Sequence, residues 1–365
     1  MRASRALAKA RIPETRLAAS RSPSAASWVN ADASSKDLIA FRRALLRWYD
    51  HHRRDLPWRN THDPYRIWLS EIMLQQTRVA AVLNHYRIFL ELFPNIHALA
   101  ASSEDAVLAA WSGLGYYRRA RMMHQCSREL VQNLSGQFPQ TAAALQTLPG
   151  IGRYTAAAIA SIAFSEPVAV VDGNVERVLQ RIFGQNTLLT TPQTWLHAQT
   201  FLAPSRPGDF NQAMMELGAT VCTPRQPLCH ACPVRKHCAT QGEVPGTQPG
   251  LRQQKKQIWC ALDRRPSSAP EKIRLVQRPK KTSLMPGMWE LPQSFDPPRP
   301  LPAEALWRTF RHSITITNYT VHVLRDTPLP GIPSASKGKW IAIDRIPQIP
   351  ITGLTRKILK ADGII

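Results

Sequence analysis

The sequence predicts a long, mainly α-helical N-terminal region followed by a smaller α+β domain. Apolar residues recur at helical spacing between residues 38 and 235, beginning with Leu38, Phe41 and Leu45. Residues 239–256 are rich in Gly, Pro and Gln, the composition of a linker. Beyond the linker, short β-branched or alternating runs at 258–262, 272–277 and 313–324 predict strands, and residues 354–360 predict a closing helix.

The first 36 residues are rich in Arg, Ala and Ser and poor in acidic residues. They lack an apolar segment with a cleavage site, so we interpret residues 1–36 as a disordered basic extension and not as a secretory signal. Their composition also resembles that of a mitochondrial transit peptide. We expect a bacterial cytoplasmic, nucleoid-associated protein, and mitochondrial import is the alternative.

Charge indicates the class of partner. The chain of 365 residues has 47 Lys and Arg against 25 Asp and Glu, a formal net charge of +22. An excess of this size favours a polyanion, and no stretch approaches the ~18 apolar residues of a membrane span, so nucleic acid is preferred to lipid. The alternative is a basic protein whose tail inflates the charge.

The predicted helical domain, residues 37–238, contains a glycine-rich turn. Residues 148–152 read Leu-Pro-Gly-Ile-Gly and precede an alanine-rich helical stretch. Gly150 and Gly152 allow backbone amides at a helix N-terminus to approach a phosphate closely. The same turn also occurs as an ordinary connection between two helices. In so basic a chain we favour a contact with the DNA backbone.

Two carboxyl groups lie in contrasting local sequences. Glu71 is embedded in the apolar segment 67–74, where burial would raise its pKa and keep it protonated; the alternative is that Glu71 points to solvent or pairs with Arg78. Asp172 follows the apolar run 168–171 at a helix N-cap, where amide donors stabilise an anion, although such residues often act as caps alone. One acidic and one ionised carboxyl are what glycosidic-bond cleavage requires.

A cysteine cluster ends the helical region in a C-x6-C-x2-C-x5-C pattern, with Cys222, Cys229, Cys232 and Cys238 as its members. Disulfides are disfavoured because there are few cysteines in a long chain without a secretory signal. Structural zinc usually uses two well-separated pairs of cysteines, so this spacing favours a 4Fe-4S cluster, with zinc as the alternative. The isolated Cys126 and Cys260 are expected to be buried side chains.

Several separated motifs together resemble the A/G-specific adenine DNA glycosylases of the helix-hairpin-helix family. They are residues 68–77 (Trp-Leu-Ser-Glu-Ile-Met-Leu-Gln-Gln-Thr), 113–117 (Gly-Leu-Gly-Tyr-Tyr), 148–155, 171–175 (Val-Asp-Gly-Asn-Val) and the four cysteines. The resemblance covers residues 38–238, with a weaker match as far as residue 360. It implies two helical subdomains, a helix-hairpin-helix, and an iron-sulfur cluster loop at 222–238. The hairpin and cysteine spacing are shared with the endonuclease III branch.

The resemblance implies a base excision repair enzyme in which Glu71 protonates a flipped adenine and Asp172 stabilises the sugar cation. Tyr154 and Asn174 would position the sugar and water. Tyr154 replaces the Schiff-base lysine of bifunctional glycosylase/lyases, so a monofunctional glycosylase is implied. The residues implied to contact the substrate are Trp58, Arg59, Glu216, Gln76 and Tyr116. An endonuclease III-like lyase and a non-enzymatic iron-sulfur DNA-binding module are the alternatives.

The C-terminal domain, residues 257–365, resembles the Nudix-like domain with which this family recognises 8-oxoguanine. The likeness depends on Arg278-Pro279, residues 285–292 and the segment 310–312. The acidic pattern of Nudix hydrolases is absent from the sequence, so nucleotide hydrolysis is not expected. Arg311 replaces a serine in the lesion-contacting loop, and we expect Arg311 or His312 to supply the contact. The implied partner is double-stranded DNA with 8-oxoguanine:A or G:A mispairs, bound by a monomer without a membrane.

Overall fold

The computed structural model describes residues 35–184, 188–242, 253–265, 270–297, 303–314, 316–325 and 338–365. Residues 1–34 of the predicted basic extension lie outside these residues, and so do residues 243–252 of the predicted linker. Ser35 and Lys36, which the sequence analysis assigned to the disordered extension, instead begin the first helix. In the described chain, no helix is both long and apolar enough to span a bilayer.

Helices form the described chain up to residue 220. Their bounds are α1 Ser35–His52, α2 Pro64–Leu74, α3 Val79–Leu92, α4 Ile96–Ala101, α5 Glu104–Ala110, α6 Arg118–Leu134, α7 Ala142–Leu145, α8 Arg153–Ala163, α9 Gly173–Phe183, α10 Thr191–Phe201 and α11 Pro207–Thr220. Local sequence sets several starts. Asp63 accepts a hydrogen bond from the amide of Tyr65, and Pro64 occupies the first turn of α2, where its missing N–H costs nothing.

The helices enclose two separate cores, which confirms the predicted pair of helical subdomains. The first core lies among α2–α8 and includes Trp68, Phe89 and Trp111. The second lies among α1 and α9–α11. Phe41 of α1 packs edge-to-face on Phe201 of α10, with ring centroids 4.9 Å apart. Helix α1 therefore precedes the first subdomain in sequence but belongs to the second in space.

The C-terminal region forms the predicted α+β domain. Its strands are β1 Gln254–Leu262, β2 Arg264–Arg265, β3 Lys272–Gln277, β4 Trp289–Glu290, β5 Gln293–Ser294, β6 Leu306–Ile314, β7 Thr317–Arg325 and β8 Gly338–Ala342, followed by α12 Gly353–Ala361. One sheet has the order β5-β1-β7-β6, with β1 and β7 parallel. In the other, β3 pairs with β2, β4 and β8.

Two strand boundaries differ from the sequence prediction. Strand β1 begins at Gln254, inside the predicted linker, because residues 254–256 continue the ladder with residues 317–319 of β7 while remaining exposed. The predicted run 313–324 is not one strand, since β6 ends at Ile314 and β7 begins at Thr317. Both boundaries lie largely among exposed or half-buried residues, so the pattern of hydrophobic residues does not indicate where these strands begin and end.

The C-terminal domain packs directly on the helical region. The Ser112 Oγ and Tyr117 OH groups donate hydrogen bonds to the Ile351 carbonyl at 3.0 and 3.2 Å. Arg356 Nε donates to Ser112 Oγ at 2.9 Å. Met288 is fully buried and belongs to the first helical core. These contacts bring the C-terminal domain up to the loop that carries Tyr116.

Candidate active site

Glu71 and Tyr154 meet where α2 packs against α8. The Tyr154 hydroxyl donates to Glu71 Oε2 at 2.6 Å, and Glu71 is only 6% exposed. Burial raises the pKa of Glu71 from its usual 4.5 to about 7, although the hydrogen bond from Tyr154 lowers it. The side chain therefore holds a proton up to neutral pH. Glu71 is buried and its partner is Tyr154, so neither alternative, a Glu71 that points to solvent or one that pairs with Arg78, is the observed arrangement.

Asp172 is the N-cap of α9. Its Oδ1 atom accepts the backbone amides of Asn174 at 3.0 Å and Val175 at 2.8 Å, and its Oδ2 atom accepts Asn174 Nδ2 at 2.8 Å. Burial raises the pKa of Tyr154 well above its usual 10, and the charges of Glu71 and Asp172 raise it further. Asp172 thus lies close enough to both groups to act on them electrostatically. The arrangement combines a proton donor with a carboxylate at a helix N-terminus.

Asn174 is held from two sides. Its Oδ1 atom accepts a hydrogen bond from Arg177 Nη2 at 2.8 Å, and Arg177 Nε donates to the Cys222 carbonyl at 2.9 Å. Gly218 of α11 approaches from the other side, and a Cβ atom at this position would lie 2.6 Å from the Cβ atom of Asn174. Close packing of α9 on α11 therefore fixes the residue that holds Asp172.

Glu216 is almost completely buried beside two arginines. Its Oε1 atom accepts Arg54 Nε at 2.8 Å, and its Oε2 atom accepts Arg54 Nη2 and Arg59 Nη2, both at 2.6 Å. Burial alone would raise the pKa of Glu216, but the hydrogen bonds from Arg54 and Arg59 outweigh it and lower the pKa to about 2. Both oxygens are engaged, so an adenine contact would add to this network. Sequence reasoning missed Arg54, for which no motif supplied a signal.

Trp58 lies in a short turn, Pro57–Arg59, before α2. It is buried in the first core and packs edge-to-face on Tyr86, with centroids 5.3 Å apart. The neighbouring Arg59 guanidinium lies over the ring of Tyr49, 5.6 Å from its centroid. Trp58 therefore packs in the core beneath this short turn, and Arg59 joins the turn to Glu216 through its hydrogen bond.

Gln76 and Tyr116 line a cleft of about 930 Å³ between the first helical subdomain and the C-terminal domain. Both residues have left-handed backbone conformations, with φ of 55° and 48°, which are uncommon for residues other than glycine. Tyr116 is 51% exposed. Glu71, Asp172 and Tyr154 are not part of the cleft lining. The predicted contact residues are thus divided between the cleft and the carboxylate centre.

The segment expected to be a lesion-contacting loop is part of β6. Arg311 and His312 pair with Thr320 and Tyr319 of β7. His312 lines the cleft, whereas Arg311 does not. Strand pairing therefore separates the two candidates that sequence reasoning treated as equivalent. Ser313, which sequence reasoning did not single out, also lines the cleft.

The glycine-rich turn connects α7 to α8. Gly150 has a φ of 76°, and a Cβ atom there would lie 2.7 Å from Cβ of Met122. Gly152 is the N-cap of α8, and no heavy atom lies within 4 Å of the position of its Cβ. Gly150 is therefore required by the turn, while Gly152 leaves the first amides of α8 open to an anion.

The four cysteines of the cluster form no disulfide bonds and line one small cavity. Arg181 also lines it, and Arg181 Nη1 donates to Cys222 Sγ at 3.2 Å. Among the described residues, no three His, Cys, Asp or Glu side chains are arranged to hold a single metal ion. Four thiols around one cavity, beside the Arg181 guanidinium, form a donor set that suits either a 4Fe-4S cluster or a zinc ion. Cys126 and Cys260 are buried, as expected.

Comparisons with known proteins agree with this architecture. Residues 69–204 match the HhH-GPD superfamily of base excision DNA repair proteins. An adenine DNA glycosylase from Homo sapiens is 34% identical, over 89% of this chain and 74% of the human protein. One from Mus musculus is 49% identical, over 57% of this chain and 43% of the mouse protein. A solved thermostable thymine-DNA glycosylase superimposes with a TM-score of 0.54 and 31% identity, covering 57% of this chain and 99% of that one.

Proposed function

The chain belongs to the adenine DNA glycosylase family, and from this membership we propose that it excises adenine paired with 8-oxoguanine or guanine in double-stranded DNA. The observation that carries the proposal is the pairing of two unlike carboxyl groups. Glu71 is buried and accepts a hydrogen bond from Tyr154, while Asp172 is the N-cap of α9. The same pair supplies both halves of an acid-assisted glycosidic cleavage.

In the proposed reaction, Glu71 donates its proton to a ring nitrogen of the extruded adenine. The bond between C1′ and the base then breaks, and its electron pair leaves with the adenine. The Asp172 carboxylate faces the oxocarbenium-like sugar and stabilises its positive charge. Water adds to C1′ and releases a proton, which gives an abasic site. The pKa of about 7 supports Glu71 as the acid because the proton is present near neutral pH.

The product of this reaction is an intact strand with an abasic site. A lyase needs an amine to form a Schiff base with the sugar. The residue at the corresponding position is Tyr154, and burial first, then the charges of Glu71 and Asp172, raise its pKa well above 10. Its hydroxyl therefore stays neutral and serves as a hydrogen-bond donor. Strand breaks should appear only after alkali treatment.

Base extrusion leaves a gap in the duplex that the protein has to fill. Gln76 and Tyr116 are suited to this because they lie at the cleft in exposed loops with a planar amide and an aromatic ring. The amides of α8 behind Gly150 and Gly152 supply a phosphate contact, in accord with the net charge of +22. His312 and Ser313 lie on the opposite wall, where they can read the base that faced the adenine.

We further propose that Cys222, Cys229, Cys232 and Cys238 hold a 4Fe-4S cluster. When bound, the cluster would cross-link the segment 222–238 and add a compact anionic centre beside Arg181. Arg225, Arg235 and Lys236 lie in the same segment, so a fixed loop presents positive charge to DNA phosphates. Iron and acid-labile sulfide in equal amounts would support this assignment, and stoichiometric zinc would replace it.

The proposed function is tested by single-turnover adenine release from duplexes with one adenine opposite 8-oxoguanine, guanine or thymine. We expect release from the first two, and strand breaks only after alkali. Borohydride should trap no covalent complex with DNA. A trapped adduct would favour the endonuclease III-like alternative, and DNA binding without base release would favour the binding module.

A further inference from the structure

The two residues proposed to fill the gap come from different loops. Gln76 follows α2, and Tyr116 precedes α6. Both have positive φ angles, so each loop is held in a backbone conformation that the residue itself disfavours. A shared contact that holds both loops would fix the distance between the two side chains before DNA binds.

Arg119 on α6 makes such a contact with the loop of Gln76. Its Nη1 atom donates to the carbonyls of Ile72 at 2.7 Å, Met73 at 3.0 Å and Gln75. These carbonyls belong to the end of α2, where the helix dipole favours a positive charge. Ile72 directly follows Glu71, so the same guanidinium is anchored to the helix that supplies the proposed acid.

The other half of the guanidinium contacts the loop of Tyr116. Arg119 Nη2 donates to the carbonyls of Leu114 and Gly115, both at 3.2 Å, and to Thr77 Oγ1 at 3.1 Å. The guanidinium carbon also lies 5.5 Å from the centroid of the Tyr116 ring. One planar group therefore contacts the residues on both sides of Gln76 and those before Tyr116.

The hydrogen-bond partners of Arg119 in the described chain are neutral oxygens and include no carboxylate. Burial lowers the pKa of Arg119 to about 10, and among its contacts in the described chain all the acceptors are carbonyl or hydroxyl oxygens. The guanidinium therefore stays charged near neutral pH. Its fork geometry, which lysine lacks, is what allows it to join two loops.

We propose that Arg119 is a positioning residue that holds the two loops as one unit, so that Gln76 and Tyr116 enter the duplex together at a fixed place relative to Glu71. This inference rests on the proposed function for its effect on base release. The coupling of the loops is a property of the free protein and can be measured without DNA.

The first test is hydrogen exchange of the free protein, followed by mass spectrometry. In Arg119→Lys, which keeps the charge but loses the fork, amides in 75–77 and 113–117 should both exchange about tenfold faster. Thr77→Ala, which removes one contact, should produce a smaller change in the same two segments. The control is Arg128→Lys, an exposed arginine on the same helix that contacts His124. A change in one loop alone, or in neither, would overturn the proposal.

The second test separates positioning from chemistry. Single-turnover release is compared for a paired adenine and for an adenine in an unpaired bulge, whose extrusion is easier. Arg119→Lys should slow release from the pair about tenfold and release from the bulge less than about threefold. Equal slowing of both would show that Arg119 acts on the chemical step and would refute the positioning role. If the wild-type protein released no adenine, the proposed function would fail, and hydrogen exchange alone would decide the coupling.

Discussion

Removing the Tyr154 hydroxyl should move the pH dependence of adenine release to higher pH. In the structure this hydroxyl donates to Glu71 at 2.6 Å and so stabilises the ionised carboxylate. Burial raises the pKa of Glu71 to about 7, and the hydrogen bond from Tyr154 lowers it. Tyr154→Phe keeps the burial and deletes the opposing contact. The pKa of Glu71 should therefore rise further.

The size of this shift follows from the hydrogen bond. A hydrogen bond to a charged group contributes about 1.5–3 kcal/mol, and a change of 1.36 kcal/mol corresponds to one pKa unit. We expect the descending limb of the pH–rate profile to move to higher pH by about one to two units. The sign is fixed because the proposed acid works only when protonated, so the rate falls as pH rises through the pKa.

The assay is the single-turnover rate of adenine release between pH 5 and 9, with enzyme below saturation, because such rates report groups of the free enzyme. The matched control is Tyr65→Phe. Tyr65 is a buried tyrosine on the same helix as Glu71, and its hydroxyl donates to the Phe93 carbonyl at 2.7 Å. The readout is the shape of the profile, so a lower overall rate in Tyr154→Phe does not obscure it. A limb that stays in place or moves to lower pH would refute the reasoning.

Three further predictions concern stability. Between pH 4.5 and about 7 the folded protein keeps a Glu71 proton that the unfolded chain has released, so the wild type loses stability as pH rises. Glu71→Gln should therefore be more stable than the wild type above pH 7, by up to about 3 kcal/mol, and no more stable at pH 4. Denaturant titrations at the two pH values measure this difference. Gly218→Ala should lower the free energy of unfolding by about 1–3 kcal/mol and slow adenine release, because the alanine Cβ atom would displace Asn174. Unchanged stability and rate would contradict this expectation. Glu216→Gln should lower the free energy of unfolding by about 1.5–3 kcal/mol at neutral pH, because it removes the charge that Arg54 and Arg59 bind. In the wild type this stabilisation should disappear only as pH falls from 4.5 towards about 2. Acid titration of the free energy of unfolding checks both expectations.

The sequence predicted the parts of the fold that depend on local pattern. Helical periodicity found the N-terminal region, and Asp172 was placed correctly at the start of α9 because capping is encoded within a few residues. The burial of Glu71 remained one of two alternatives in the sequence, because apolar neighbours favour burial but do not show which face of the helix packs against α8. The strand boundaries near residues 254 and 314 were missed because they depend on pairing with β7.

The long-range polar contacts of the site could not be predicted. Arg54 and Glu216 are far apart in sequence, and neither lies in a pattern that specifies a partner. Arg119 is one of several arginines in a basic stretch, and only the fold shows that it is buried between two loops. Similarly, strand geometry alone separates His312 from Arg311 at the cleft. Motifs identify which residue types are present, and tertiary packing determines which of them touch.

The central claim is that the Asp172 carboxylate stabilises the sugar cation formed when adenine leaves. The most direct test is single-turnover adenine release from a duplex with one 8-oxoguanine:A pair, comparing wild type with Asp172→Asn. Asn is as good an N-cap as Asp, so the variant removes charge but keeps the cap of α9. Asp63→Asn, at the N-cap of α2, is the control. We predict a loss of about 100-fold or more in Asp172→Asn and wild-type rates in the control. Retained release in Asp172→Asn would contradict the account.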